Sequence, residues 1–214
     1  MDPTVPIDDQ PIAAGFFGEG RWLSDFVTPN QPDILMLYQQ LTQGLRTQEE
    51  RITACWDFAA NEIKYKSFIT AEIRVEGIHS VQEDFWQSPS MVSKTHVGNC
   101  ANKAFLLTSL LRNELSPDQV YCVLGNLRNG HQQGHAWVQT NIGGREYIVE
   151  ATRNDVPLLD VVNADRYQPV HYFNDQVILA VPGRTVMTPF EACYSSWLKD
   201  YIDFHYVNNQ GEVR

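Results

Sequence analysis

GNCANKAFLLTSLLR, residues 98–112, is the stretch on which the reading of this chain turns. Ala101, Ala104, Phe105, Thr108 and Leu111 recur at helical spacing, Leu115 extends the stripe, and Ser116-Pro117 closes it. Gly98 permits a tight turn into that helix. Cys100 therefore falls in the first turn of a long central helix, where the partial positive charge of the helix N-terminus faces the thiol. A nucleophile that attacks carbonyl carbon is well served by that position.

Working outward, VYCVLGNL (120–127) reads as a strand and RNGHQQG (128–134) as a polar loop. HAWVQTNI (135–142) and REYIVEAT (145–152) then form two strands joined at Gly143-Gly144, a hairpin signal. A two-residue turn there sets Ile142 opposite Arg145, Trp137 opposite Glu150 and His135 opposite Thr152. Opposed residues share a sheet face, so Glu150 lies diagonal to His135, within reach of a long carboxylate. His135 is thus the candidate base, with Glu150 the group that fixes its tautomer and stabilises its charged form. Asp155 is the fallback carboxylate if the register differs.

Before the central helix, DILMLYQQLTQGL carries a helical stripe at residues 34, 37, 38, 41 and 45. Thr47 fits an N-cap, and the helix that follows presents Ile52, Cys55, Trp56, Ala59, Ala60 and Ile63 on one side. Residues 64–99 look irregular apart from a short strand at 68–75. Beyond the hairpin, HYFNDQVILAV (171–181) reads as one strand. Thr188-Pro189 then opens a last helix with Phe190, Cys193, Trp197, Tyr201 and Phe204 along one side. The expected organisation is an extended arm over 1–32, one domain over 33–185 and a helical extension over 186–214 packed on it. Helices, a central helix and then an antiparallel sheet make an α+β class.

These segments together resemble the transglutaminase-like superfamily. Its pattern is a glycine-x-cysteine entering a helix, a strand, a His-Ala-Trp strand, and a strand ending in Asp-Pro-Thr. GNCANKAFLLTSLLR, VYCVLG, GHAWVQ and YIVEATR match it in order, and TQEERITACWDFAANEIKY resembles the family's leading helix. The resemblance spans about residues 33–180. It implies a papain-like fold, with Cys100 as nucleophile, His135 as base and Glu150 in place of the usual aspartate, while Ala151 replaces the proline. The backbone N–H of Cys100 is a natural oxyanion donor. Trp86 and Gln87 in DFWQSP are candidates for a second donor, with Asn99 and Trp137 lining the cleft.

The expected activity is acyl transfer from a peptide or glutamine-type amide through a thioester, with hydrolysis ahead of crosslinking. A catalytically silent binding or assembly module is the alternative, and an arylamine acetyltransferase-like enzyme ranks below both. No cofactor is expected, and the acidic residues lack EF-hand spacing. The 214 residues are 43% hydrophobic with five Trp, nine Tyr and ten Phe, the profile of a folded domain. Sixteen Lys and Arg against 26 Asp and Glu leave a net charge of −10, which repels phosphate backbones and anionic lipid. The expected partner is a protein or peptide substrate, with no nucleic acid and no membrane. MDPTVPIDDQ lacks the basic start of a signal peptide, and no segment approaches the roughly 20 apolar residues of a membrane span. A cytoplasmic setting with reduced thiols follows as the expectation, with Cys55, Cys122 and Cys193 as core residues.

Overall fold

The computed structural model describes residues 3–7, 11–14, 20–67, 70–75, 78–82, 86–129, 131–155, 157–184 and 202–205. Helix α1 (Pro32–Thr42) begins with Pro32 at its first position, where the missing N–H costs no hydrogen bond. Of its apolar stripe, Ile34 is fully buried, while Leu37, Tyr38 and Leu41 pack at the core margin. Helix α2 (Gln48–Asp57) opens on a capping box: the Thr47 hydroxyl accepts from Glu50 N and the Glu50 carboxylate accepts from Thr47 N. A π-turn over Phe58–Glu62 continues it, and of the expected face Ile52, Cys55, Trp56, Ala59 and Ile63 are buried while Ala60 is half-buried against the core.

The region read as irregular holds more order than its composition suggests. Thr70–Val75 and Ile78–Gln82 pair as an antiparallel hairpin, and α3 (Pro89–Thr95) follows. Ser88 caps α3 by accepting from Met91 N, and Pro89 occupies its first turn. Val97–Gly98 then pairs in parallel with Lys64–Tyr65 and delivers the chain into α4 (Cys100–Leu111). Asn99 caps α4 reciprocally with Asn102, at 3.0 and 3.3 Å. Every residue of α4 from Ala101 to Leu111 is buried. The helix ends at Leu111, earlier than the apolar stripe suggested, and Leu115 reaches the core from the turn beyond.

Among the described residues the main sheet has seven strands. We number them β1 (Val5–Pro6), β2 (Val120–Asn129), β3 (His131–Ile142), β4 (Arg145–Val149), β5 (Leu159–Asp160), β6 (Tyr167–Phe173) and β7 (Ile178–Ala180). Their spatial order is β1-β7-β6-β2-β3-β4-β5, and every pairing is antiparallel. The expected polar loop over 128–134 is instead the continuation of the β2–β3 hairpin, with Arg128 opposite Gln132 and Leu127 opposite Gln133. The single strand expected over 171–181 is two, because the Asn174 side chain accepts from Gln176 N and Val177 N and turns the chain.

Alternation along β2 and β3 sorts the core in two. Val120, Cys122, Leu124, Ala136 and Val138 pack under the helices. Tyr121, Val123 and Trp137 join Ile148, Tyr167 and Tyr172 on the other face. Phe26, from a 3-10 turn in the N-terminal arm, packs against Trp86 and Phe105 at centroid distances of 5.4 and 5.0 Å. Trp22 is 43% exposed, and Phe16 and Phe17 lie outside the described residues. The expected C-terminal helix, from Thr188-Pro189 through Phe204, lies outside them as far as Tyr201, and Ile202–His205, which includes Phe204, is a strand paired with Thr70–Val75 rather than helix. Among the described residues no helix is long and apolar enough to cross a membrane.

Gly125 lies directly opposite His135 in the β2–β3 ladder. A Cβ there would stand 2.3 Å from the Gln168 carbonyl oxygen and 2.5 Å from the Trp137 ring. Both neighbours are held, one in backbone and the other fully buried, so neither can give way cheaply. Gly125→Ala is expected to cost about 1–3 kcal/mol, the usual range for overpacking. Urea unfolding checks this, and an unchanged midpoint would show that the strands are less closely apposed than they look.

Candidate active site

Helices α2 and α4, strands β3 and β6, and the turn after β4 converge on the site. The β3–β4 ladder runs from Ile142 opposite Arg145 to Val138 opposite Val149, the register the Gly143-Gly144 turn predicts. Beyond Val149 the chain leaves the sheet, so β3 loses its β4 neighbour where His135 sits. Glu150 is the first residue after the ladder. Its Oε2 lies 2.9 Å from His135 Nε2, with the two side chains 3% and 8% exposed. A carboxylate accepts only, so Nε2 carries the proton and Nδ1 is left for the thiol. The Cys100 side chain, half-exposed at the start of α4, hydrogen-bonds His135.

Glu150 is held on every side. Its Oε1 accepts from Thr152 N at 2.9 Å and from Thr152 Oγ1 at 2.7 Å. Its Oε2 also accepts from the Tyr167 hydroxyl at 3.0 Å. Its backbone carbonyl accepts from Trp56 Nε1 at 3.0 Å, which ties α2 to the point where the chain leaves β4. Burial alone would raise the Glu150 pKa, but His135 and Thr152 outweigh it and the carboxyl is lowered below its ordinary value. Burial would likewise depress His135, yet the Glu150 charge and the contact with Cys100 raise it. A buried pair of opposite charge is therefore the ground state around neutral pH.

The other expected positions divide. Trp137 stacks on His135 at 6.1 Å and 23° and is itself fully buried, so it backs the pair rather than lining an open cleft. Asn99 spends its side-chain oxygen on the helix cap. Trp86 and Gln87 are corrections: both are fully buried, with Trp86 edge-on to Phe26 and Phe105. Gln87 donates from Nε2 to the Val97 carbonyl at 2.9 Å and accepts from Thr95. They brace the segment leading into Cys100 rather than lining an open cleft. Asp155 pairs with Arg153 and is half-exposed, so the fallback carboxylate is not used at His135. Cys55 and Cys122 are buried, with burial raising both thiols, Cys55 to about 12. Cys193 lies outside the described residues.

Lys103 was not anticipated. It is buried one turn beyond Cys100, and its ammonium donates to the carbonyls of Ala60 and Ile63 at 3.1 and 2.9 Å. Burial lowers its pKa to about 8, with Glu150 acting in the opposite sense.

No protein-family model and no curated protein matches the chain. Solved structures do. EGTA-treated Legionella pneumophila LapG aligns with a TM-score of 0.53 at 15% identity, over 78% of this chain and 84% of that one. Calcium-bound LapG aligns at 0.52 and 15% identity, over 75% and 88%. The fold is transglutaminase-like. This transglutaminase-like fold carries the α+β arrangement expected from the sequence, with the helix bearing Cys100 packed on an antiparallel sheet.

The raised His135 and lowered Glu150 make a signed prediction. A lowered carboxyl contributes stability above its unfolded pKa of about 4.3, and a raised imidazole contributes below its unfolded value of about 6.5. Both contributions are complete only between those limits. The difference in melting temperature between the wild type and Glu150→Gln should therefore peak at about pH 5–6.5. It should narrow as pH falls through the carboxyl range, and again as pH rises through the raised His135 value. Thermal unfolding across pH measures it, and a flat difference would refute the ion pair.

Proposed function

We propose that this protein is a cysteine-dependent acyl-transfer enzyme acting on peptide or glutamine-type amides, with water as the usual acceptor. The observation that carries the reading is the single line of contacts from the half-exposed Cys100 thiol through His135 to the fully held carboxylate of Glu150. A scaffold has no need to bury an ion pair behind a thiol. The likeness to Legionella pneumophila LapG supports the fold on which this reading rests.

In this mechanism the charged His135 already holds a proton on Nδ1 beside the Cys100 sulfur, which adds to the amide carbonyl carbon as the thiolate. The oxygen that gains charge meets the backbone N–H of Cys100, which the first helical turn leaves without an intrahelical partner. His135 then gives the proton to the departing amine as the C–N bond breaks, leaving a thioester. Water adds to that thioester while His135 takes its proton, and the acid and the free thiol are released. Glu150 stays ionised throughout and holds the imidazole in orientation. A primary amine in place of water would give a crosslink by the same steps.

Iodoacetamide at pH 6 tests the first half. Mass spectrometry should find rapid labelling at Cys100, slowed roughly 100-fold in His135→Ala, the scale of general-base help. The thiols of Cys55 and Cys122 should stay unlabelled. Incubation with glutamine-containing peptides, with and without a primary amine, then distinguishes carboxylic acid from amide products. Slow labelling of Cys100 that ignores His135, with no product of either kind, would sink the proposal.

A further inference from the structure

The residue that shares Glu150 Oε2 with His135 comes from a part of the chain that the Cys-His-carboxylate pattern does not include. Tyr167 opens β6, with its backbone N–H on the Ala164 carbonyl and its pairing partner Leu127 on β2. The ladder continues through Gln168 opposite Asn126 and Pro169 opposite Gly125, so the backbone position of Tyr167 is fixed relative to the strand that faces His135. The ring is buried. It meets Trp137 edge-on at 5.2 Å and lies tilted against His135 at 6.3 Å, while the Arg166 guanidinium covers it at 5.3 Å. From there its hydroxyl donates to Oε2 at 3.0 Å.

We propose that Tyr167 is a positioning residue for the Cys100–His135–Glu150 site, acting through its hydroxyl on Glu150 rather than on substrate. The inference rests on the acyl-transfer reading above. Thr152 supplies both donors to Oε1 from the turn that Glu150 itself begins, and so holds the carboxylate only from the side of its own segment. Tyr167 supplies the opposing hold from across the sheet. With it, the carboxylate has two donors on each oxygen and one orientation in which Oε2 meets Nε2. Without it, Oε2 keeps a single donor, its charge is less stabilised, and the imidazole is held less firmly against the thiol. Burial and the Glu150 charge raise the phenol to about 12, so the hydroxyl remains a donor through the working pH range.

Tyr167→Phe removes only the hydroxyl and keeps the ring contacts. Three quantities follow it: the Cys100 iodoacetamide rate against pH, the downfield proton resonance of the His135 Nε2–H, and kcat and KM on whichever peptide proves to be a substrate. At pH 6 the labelling rate should fall roughly tenfold, the loss of one hydrogen bond to a charged group. The acid limb should move to higher pH, the resonance should shift, and kcat should fall with KM unchanged. A fluorinated tyrosine placed at position 167, a stronger donor of the same shape, should move the limb and the resonance the opposite way. That arm also decides the matter if Tyr167→Phe fails to fold. Labelling that depends on His135 but ignores both replacements overturns the positioning role and leaves the enzyme reading standing. Labelling that ignores His135 takes both down.

Discussion

The constraint from which the rest of this structure follows is the burial of the Glu150 carboxylate beside His135. Taking a carboxylate out of water costs several kcal/mol unless its lone pairs are met. Here four donors meet them: His135, Tyr167, and the backbone and hydroxyl of Thr152. Those groups come from β3, β6 and the turn after β4, while α2 holds the Glu150 carbonyl through Trp56. The site is therefore a junction at which separate elements must all arrive in register. Losing any one of them leaves a charged oxygen short of a partner.

The packing around that junction makes the arrival reproducible. Gly125 lets β6 and the Trp137 ring close onto β2 opposite His135, at a separation no side chain would allow. Trp137 in turn closes a cluster of three rings with His135 and Tyr167, which also meet each other. On the other face, the short parallel pairing of Val97–Gly98 with Lys64–Tyr65 and the Asn99–Asn102 box set where α4 begins. The buried Lys103 ammonium then ties α4 to the carbonyls at the end of the π-turn that follows α2. The helix start that bears Cys100 and the residue that bears the carboxylate are thus both anchored to the same α2 segment, one through Lys103 and the other through Trp56.

What the chain discloses before folding is what local rules encode. The Gly143-Gly144 turn sets a register by counting, and the diagonal contact between His135 and Glu150 follows from it. The 3.6-residue stripe after Gly98 likewise places Cys100 at a helix start. Tyr167 is not legible, because it reaches Glu150 from a strand three places away from β4 across the sheet and no local pattern ties the two positions. Lys103 reads as a polar residue on a helix face and is instead buried by tertiary packing against carbonyls more than thirty residues upstream. Helix α3 did carry its signal, Ser88 followed by Pro89, within a segment whose mixed composition hid it. Residues 128–134 misled through composition, since Gly, Gln and Asn suit a loop but are tolerated in a long hairpin stabilised by its neighbours.

A glutamate at position 150, where the pattern this sequence resembles has aspartate, fits this geometry. An extra methylene frees the carboxylate by one more torsion, and a glutamate on an unrestrained strand end would sample several orientations. At position 150 each freedom has a counterweight. The Trp56 indole fixes the carbonyl, so the backbone cannot slide along the β3–β4 register. Thr152, adjacent but for Ala151, curls back to occupy Oε1, which leaves only Oε2 to face the imidazole. Tyr167 then supplies from across the sheet a donor that meets the longer side chain where it ends. The longer acid reaches His135 from one residue beyond the ladder, and the donors around it remove the freedom that its length introduces.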